Sequence, residues 1–110
     1  MSNIVLVPSL QKKLHKPMYR SHLLLVNKLC NKVKTLGKNA LKILDVEDYY
    51  LFGELKVMKP PYRLYVVVDQ RKDIYYIVDW EHKDNQEKII NSLKDKLALA
   101  IEIGLEKVFI

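Results

Sequence analysis

Five side chains within residues 56 to 83 have the chemistry to handle a phosphodiester. Lys56 and Lys59 close one apolar run, Arg63 opens the next in YRLYVVVD, and His82 and Lys83 follow the return run IYYIVDW. A Lys/Arg/His set with no metal-ligand spacing suits phosphoryl chemistry. Cations stabilise the extra negative charge on a pentavalent phosphorus, and an imidazole can move a proton near neutral pH. The plainer alternative is that these are strand ends, where charged residues are common.

The elements that must position these residues follow from periodicity. Pro60-Pro61 forbids continuation of a strand ladder and forces a turn. QRKD (70 to 73) is a polar hairpin loop between two strongly apolar runs. LKILDV (41 to 46), YYLFGELKVM (49 to 58), YRLYVVVD (62 to 69) and IYYIVDW (74 to 80) therefore predict an antiparallel meander, with Gly53 a bulge or close-approach point. In a meander the end of one strand lies beside the start of the next. Lys56, Lys59, Arg63, His82 and Lys83 are thus expected to border one surface.

The flanking segments are helical. NIVLV (3 to 7) reads as a strand ended by Pro8 and placed at a sheet edge. Ser9 is the expected N-cap of a short helix with Leu10 and Leu14 on one face. Pro17 breaks it, and a second helix runs from about Met18 to Leu36, stopped by Gly37. At about 100° per residue, Leu25, Val26, Leu29, Val33 and Leu36 share one face, opposite Arg20, Lys28, Lys32, Lys34 and Lys38. From Asp84 a capping box with Glu87 opens a C-terminal helix with an apolar stripe of Ile89, Ile90, Leu93, Leu97, Ala100 and Ile101. Gly104 closes it, and LEKVFI (105 to 110) is a last strand or an apolar tail. The expected fold is α+β: an N-terminal strand, a helical hairpin covering one sheet face, an antiparallel β meander and a C-terminal helix. One domain is expected over 1–110, with a helical extension from about 84.

Charge is unevenly spread. Residues 1 to 44 hold nine Lys/Arg and no acidic residue, while residues 45 to 110 hold ten against thirteen acids. Such a surface attracts phosphate backbones or other polyanions, although a soluble Lys-rich surface is the simpler alternative. Lys59 joins the α-helical cations as a nucleic-acid contact. His15 and His22, in the basic segment, read as surface or boundary residues. Asp45, Glu47, Asp48 and Glu54 read as a solvated turn rather than a metal site, and no metal or other cofactor is expected. Cys30, the single cysteine, reads as a small core residue. The N-terminal residues put apolar positions before Lys12 and Lys13, opposite to a signal peptide. No apolar run suits a membrane helix, so a cytoplasmic protein without membrane contact is expected. No glycine-rich phosphate loop, HExxH, CxxC or GxSxG occurs.

LKVMKPPYRLYVVVD followed by IYYIVDWEHKD, with LQKKLHKPMYRSHLLLVNKL ahead, resembles the RelE/ParE superfamily of toxin proteins from toxin–antitoxin modules. The resemblance spans roughly residues 3 to 90. It implies a metal-independent endoribonuclease that cleaves messenger RNA on the ribosome with basic residues. By position, Arg63 would contact the scissile phosphate, Lys56 matches a lysine of the preceding strand, and His82 or Lys83 would act on the leaving group or phosphate. RNA or the ribosome and a cognate antitoxin are the implied partners, and the C-terminal helix either packs on the sheet as ordinary core or offers a surface for an antitoxin or a homodimer. A second expectation keeps the same fold without catalysis: a ParE-like, viral or mobile-element protein that binds nucleic acid or a protein target. The Ile/Lys-rich, Gln-poor composition fits a thermophilic or low-GC source.

Overall fold

The structure, a computed structural model, describes residues 3–110. Strand β1 (Asn3–Leu6) leads into helix α1 (Pro8–Leu14), a 3-10 turn (Pro17–His22) and helix α2 (Leu23–Leu36). The meander follows as β2 (Lys42–Glu47), β3 (Tyr50–Lys56), β4 (Tyr62–Asp69) and β5 (Ile74–His82). Helices α3 (Gln86–Ile103) and α4 (Leu105–Phe109) end the chain. The five strands form one sheet in the order β1-β5-β4-β3-β2, with β1 parallel to β5 and every other pair antiparallel. The fold is α+β, with β1 at an edge as expected.

Burial shows how the layers stack. Phe52, Tyr65 and Val67 on one face and Leu64, Val66 and Trp80 on the other are all sealed from solvent. Side chains alternate across a strand, so the sheet is covered on both sides. The Trp80 indole donates to His22 at 3.0 Å, which places the 3-10 turn and α2 over the face that also carries Leu64 and Val66. Gln86 at the start of α3 reaches Glu54 on the opposite face. Helices therefore sandwich the sheet, and the expected hairpin does not cover one face: α1 meets Asp79 and Glu81 on the Glu54 side, where α3 starts, while α2 follows His22 on the Trp80 side.

Several local expectations are corrected. α1 starts at Pro8, not after Ser9, because proline lacks the N–H that a first helical residue leaves free and its φ is already helical. Residues 17 to 22 form a 3-10 turn, so α2 is shorter than its apolar spacing suggested. Its buried line is Val26, Cys30 and Val33, while Leu36 stays 47% exposed. Asp84 and Glu87 form no capping box. The 3-10 turn Lys83–Asn85 intervenes, and the Asp84 N–H is taken by the His82 Nδ1 instead. Residues Leu105–Phe109 are helical rather than a strand.

Gly37 and Gly104 end α2 and α3 at φ 59° and 93°, backbone that side chains with a Cβ rarely adopt. The bulge of β2 lies between Ile43 and Asp45, opposite Gly53. A Cβ on Gly53 would lie 3.0 Å from both the Leu41 Cβ and the Lys42 carbonyl, so glycine is there for close approach. Among the described residues no helix is long and apolar enough to cross a membrane.

Candidate nucleic-acid interface

The five cations expected to share one surface gather at one end of the sheet but are divided between its faces. Lys56 and Arg63 are directly opposed across β3 and β4, and Arg63 faces Glu81 across β5. His82 is opposed to Tyr62, one residue out of phase, and so lies on the Trp80 side of the sheet. Its ring stands edge-on to Tyr62 at 5.5 Å, and its Nδ1 accepts the Asp84 N–H at 3.1 Å. Lys83 is exposed in the 3-10 turn, held through its own N–H to the Pro61 carbonyl at 2.9 Å. Lys59 is exposed and precedes a cis Pro60 in the β3–β4 turn.

Arg63 does not project into solvent. Its side chain is 11% exposed, and its Nε lies 3.4 Å from Oε2 of Glu54, which is 2% exposed. The same carboxylate faces the Gln86 amide nitrogen at 3.3 and 3.4 Å. Tyr65 is opposed to Glu54, and its buried hydroxyl has no hydrogen-bond partner. Burial, with the Glu54 charge added, pushes that phenol up to about 12. Glu54, read from sequence as part of a solvated acidic turn, is thus a buried carboxyl group facing Arg63, whose Nε makes an ion-pair contact with it but no hydrogen bond.

A second ionic cluster joins α1 to β5. Lys13 donates to Asp79 at 2.9 Å and also to Glu81, and Asn85 donates to Glu81 at 2.9 Å. Burial alone would raise the Glu81 carboxyl, but the bonds from Lys13 and Asn85 outweigh it and hold the group below its ordinary value. Burial alone would lower Lys13, and its bonds to Glu81 and Asp79 outweigh that and raise it. Sequence reasoning missed this pairing. The available signal was two acids at alternate positions of an apolar strand, which face one side and require a cation there.

His22 was also missed as a contributor. Its Nδ1 accepts the Trp80 indole N–H, and its ring stands 4.8 Å from Tyr62, whose ring stacks on Trp80 at 5.0 Å. The two histidines therefore flank one tyrosine. No local spacing links positions 58 residues apart.

The cations of the first 44 residues are disposed differently. Arg20, Lys28, Lys32 and Lys34 are exposed and form no salt bridge among the described residues. Lys38 is exposed in the 3-10 turn after Gly37 and donates to Gln70 at 3.1 Å. These cations do not gather on the one face opposite the leucines that their spacing predicts. Lys28 and Lys32 lie one helical turn apart beside Leu25 and Leu29, and Lys34 lies on the other flank, past Cys30. Arg20 precedes α2 altogether. A surface of this kind can hold a polyanion through ion pairs. Among protein-family models, curated proteins and solved structures, no match to this chain is found.

Proposed function

We propose that this is a non-catalytic nucleic-acid-binding protein that holds the phosphate backbone of RNA or DNA against the cationic surface around α2. The observation that carries the reading is the contrast between the cations around α2 and Arg63, the arginine at the centre of the sheet-end group. Arg20, Lys28, Lys32 and Lys34 are exposed and unpaired among the described residues, whereas Arg63 is committed to the buried Glu54 carboxylate. Only free cations release counterions when they meet phosphate, and that release supplies sequence-independent affinity. Lys16 and Lys38 extend the same acid-free surface.

The test is fluorescence anisotropy of a labelled single-stranded RNA, and of the matching DNA, across a salt series. Four neutralised phosphates give a log–log slope of about −3 on a single strand. Lys28→Glu with Lys32→Glu should weaken binding to all sequences alike and flatten the slope by about one or more. An affinity indifferent to salt would sink the reading. A second reading, RNA cleavage centred on Arg63, draws support from the side-by-side placement of Lys56 and Arg63. It requires cleavage products from the wild type that disappear in Lys56→Ala with stability unchanged.

A further inference from the structure

We infer that the outer face of α2 is a docking groove for an acidic amphipathic helix of a partner protein. The groove measures about 560 Å³. It is an open depression lined by α2 alone: by helical angle Leu25, Leu29 and Leu36 lie on the side toward the core, and Lys28, Asn31, Lys32 and Thr35 on the solvent side. The core does not use these leucines fully. The buried line of α2 is Val26, Cys30 and Val33, leaving Leu25 and Leu29 half-buried and Leu36 exposed. Leu24 beside it is 86% exposed, and Ile43 and Val46 of β2 are exposed on the same side of the sheet. A lone surface leucine needs no explanation, but an exposed Leu36 in line with half-buried Leu25 and Leu29, and an exposed Leu24 on the same helix, mark an interaction surface.

The occupant follows from length and charge. Leu25 to Leu36 spans about 16 Å along the helix axis, or about three turns. A helix presenting apolar anchors at i, i+4, i+7 and i+11 covers the same length. The rim lysines are one turn apart and have no acidic neighbour anywhere in residues 1 to 44. A basic partner would be repelled, and carboxylates flanking the anchors would meet Lys28 and Lys32. A second copy docking by the same face would set lysine against lysine across the twofold axis. Nucleic acid gains little from leucines, since single-strand binding relies on aromatic stacking platforms. The inference goes beyond the nucleic-acid reading but shares Lys28 and Lys32 with it, so a docked helix would cover two of the cations assigned to phosphate.

The probe is a labelled synthetic helical peptide with Leu at i, i+4, i+7 and i+11 flanked by Glu, titrated into the full chain. Saturable one-site binding is expected, at least about tenfold weaker in Leu29→Ala/Leu36→Gln. Leu36→Gln alone sits at an exposed position, keeps the fold by circular dichroism, and should weaken the peptide while leaving RNA affinity unchanged. Lys28→Glu/Lys32→Glu should weaken both ligands. Equal affinity for a scrambled peptide of the same composition would overturn the inference, because charge alone would then explain binding. So would co-sedimentation with phosphatidylserine vesicles in place of peptide binding, or a concentration-dependent dimer abolished by Leu36→Gln. Peptide binding that survives while the wild type fails to bind RNA would remove the nucleic-acid reading and leave the docking groove standing.

Discussion

The Arg63 guanidinium nitrogen Nε stands 3.4 Å from the Glu54 carboxylate, and the pair is enclosed by the sheet and the start of α3. An isolated interior carboxylate is costly, and its partner keeps it tolerable. Arg63→Ala should therefore destabilise the fold by about 3–5 kcal/mol, because it leaves Glu54 buried and uncompensated. Arg63→Leu combined with Glu54→Leu should recover most of that loss, since apolar replacement of a buried pair is often neutral. Urea unfolding of the two variants measures both. An Arg63→Ala protein as stable as the wild type would show that the pair does not hold this end of the sheet.

Stability should fall at both extremes of pH through Lys13 and Glu81. Glu81 has a lowered folded-state pKa, so its contribution is complete above the ordinary carboxylate value of 4.5 and disappears as pH falls through the lowered one. Lys13 has a raised pKa, so its contribution is complete below 10.5 and disappears as pH rises through the raised one. Lys13→Met leaves Asp79 and Glu81 facing each other without a cation. The variant should lose about 3 kcal/mol at neutral pH, and the deficit should shrink on acidification as Glu81 protonates. Urea midpoints at pH 7 and pH 3.5 test this. A deficit that stays constant between them would mean the loss is one of packing.

The meander was legible because each strand is a β-branched or aromatic run ended by Pro, Gly or a polar loop, and those signals are local. The edge position of β1 and the core place of Cys30 were legible for the same reason: a short apolar run before a proline, and a small apolar residue amid leucines. The division of the cation cluster was harder to see. A one-residue change of phase carries a side chain to the other face, so Arg63 and His82 part company although both sit at the sheet end. Register also decided that Glu54 faces inward. Pairings such as Lys13 with Glu81 and His22 with Trp80 depend on how α1 and the 3-10 turn cross the sheet, which local spacing does not encode. The apolar spacing of α2 misled because the helix starts at Leu23, and its buried line passes through Cys30 rather than Leu36.

Gly53→Ala should destabilise the protein although alanine suits most strands. Its Cβ would press on the Leu41 Cβ and on the Lys42 carbonyl, each 3.0 Å away, and the backbone oxygen has little room to yield. The expected cost is about 1–3 kcal/mol, as for other overpacked core sites. Thermal unfolding followed by circular dichroism measures it. Unchanged melting would mean that β2 relaxes freely at its bulge.

Cys30 should be inert in the folded protein. It is buried in the line of α2 that faces the sheet, and burial pushes its thiol up to about 11. The thiolate is the reactive form, so a disulfide reagent at pH 8 should label it only as fast as the chain opens. The rate should climb steeply with added urea and reach the free-thiol rate beyond the unfolding midpoint. Immediate labelling without denaturant would place the thiol at the surface.

His22 anchors the crossing of the 3-10 turn over the sheet by accepting the indole N–H of Trp80. Trp80 is completely buried, so losing that acceptor strands a donor away from water. His22→Leu removes the acceptor at similar bulk and should cost about 1–3 kcal/mol. Trp80 is the only tryptophan in the chain, so its emission reports this contact without interference. The variant should show a shifted emission maximum in the native state and a lower urea midpoint by the same signal. Replacing Trp80 with Phe in the variant removes the stranded donor, so His22→Leu should then cost much less than it does beside Trp80, with circular dichroism following both unfolding curves. Equal costs in the two backgrounds would assign the loss to packing of the His22 ring against Tyr62 instead of the hydrogen bond.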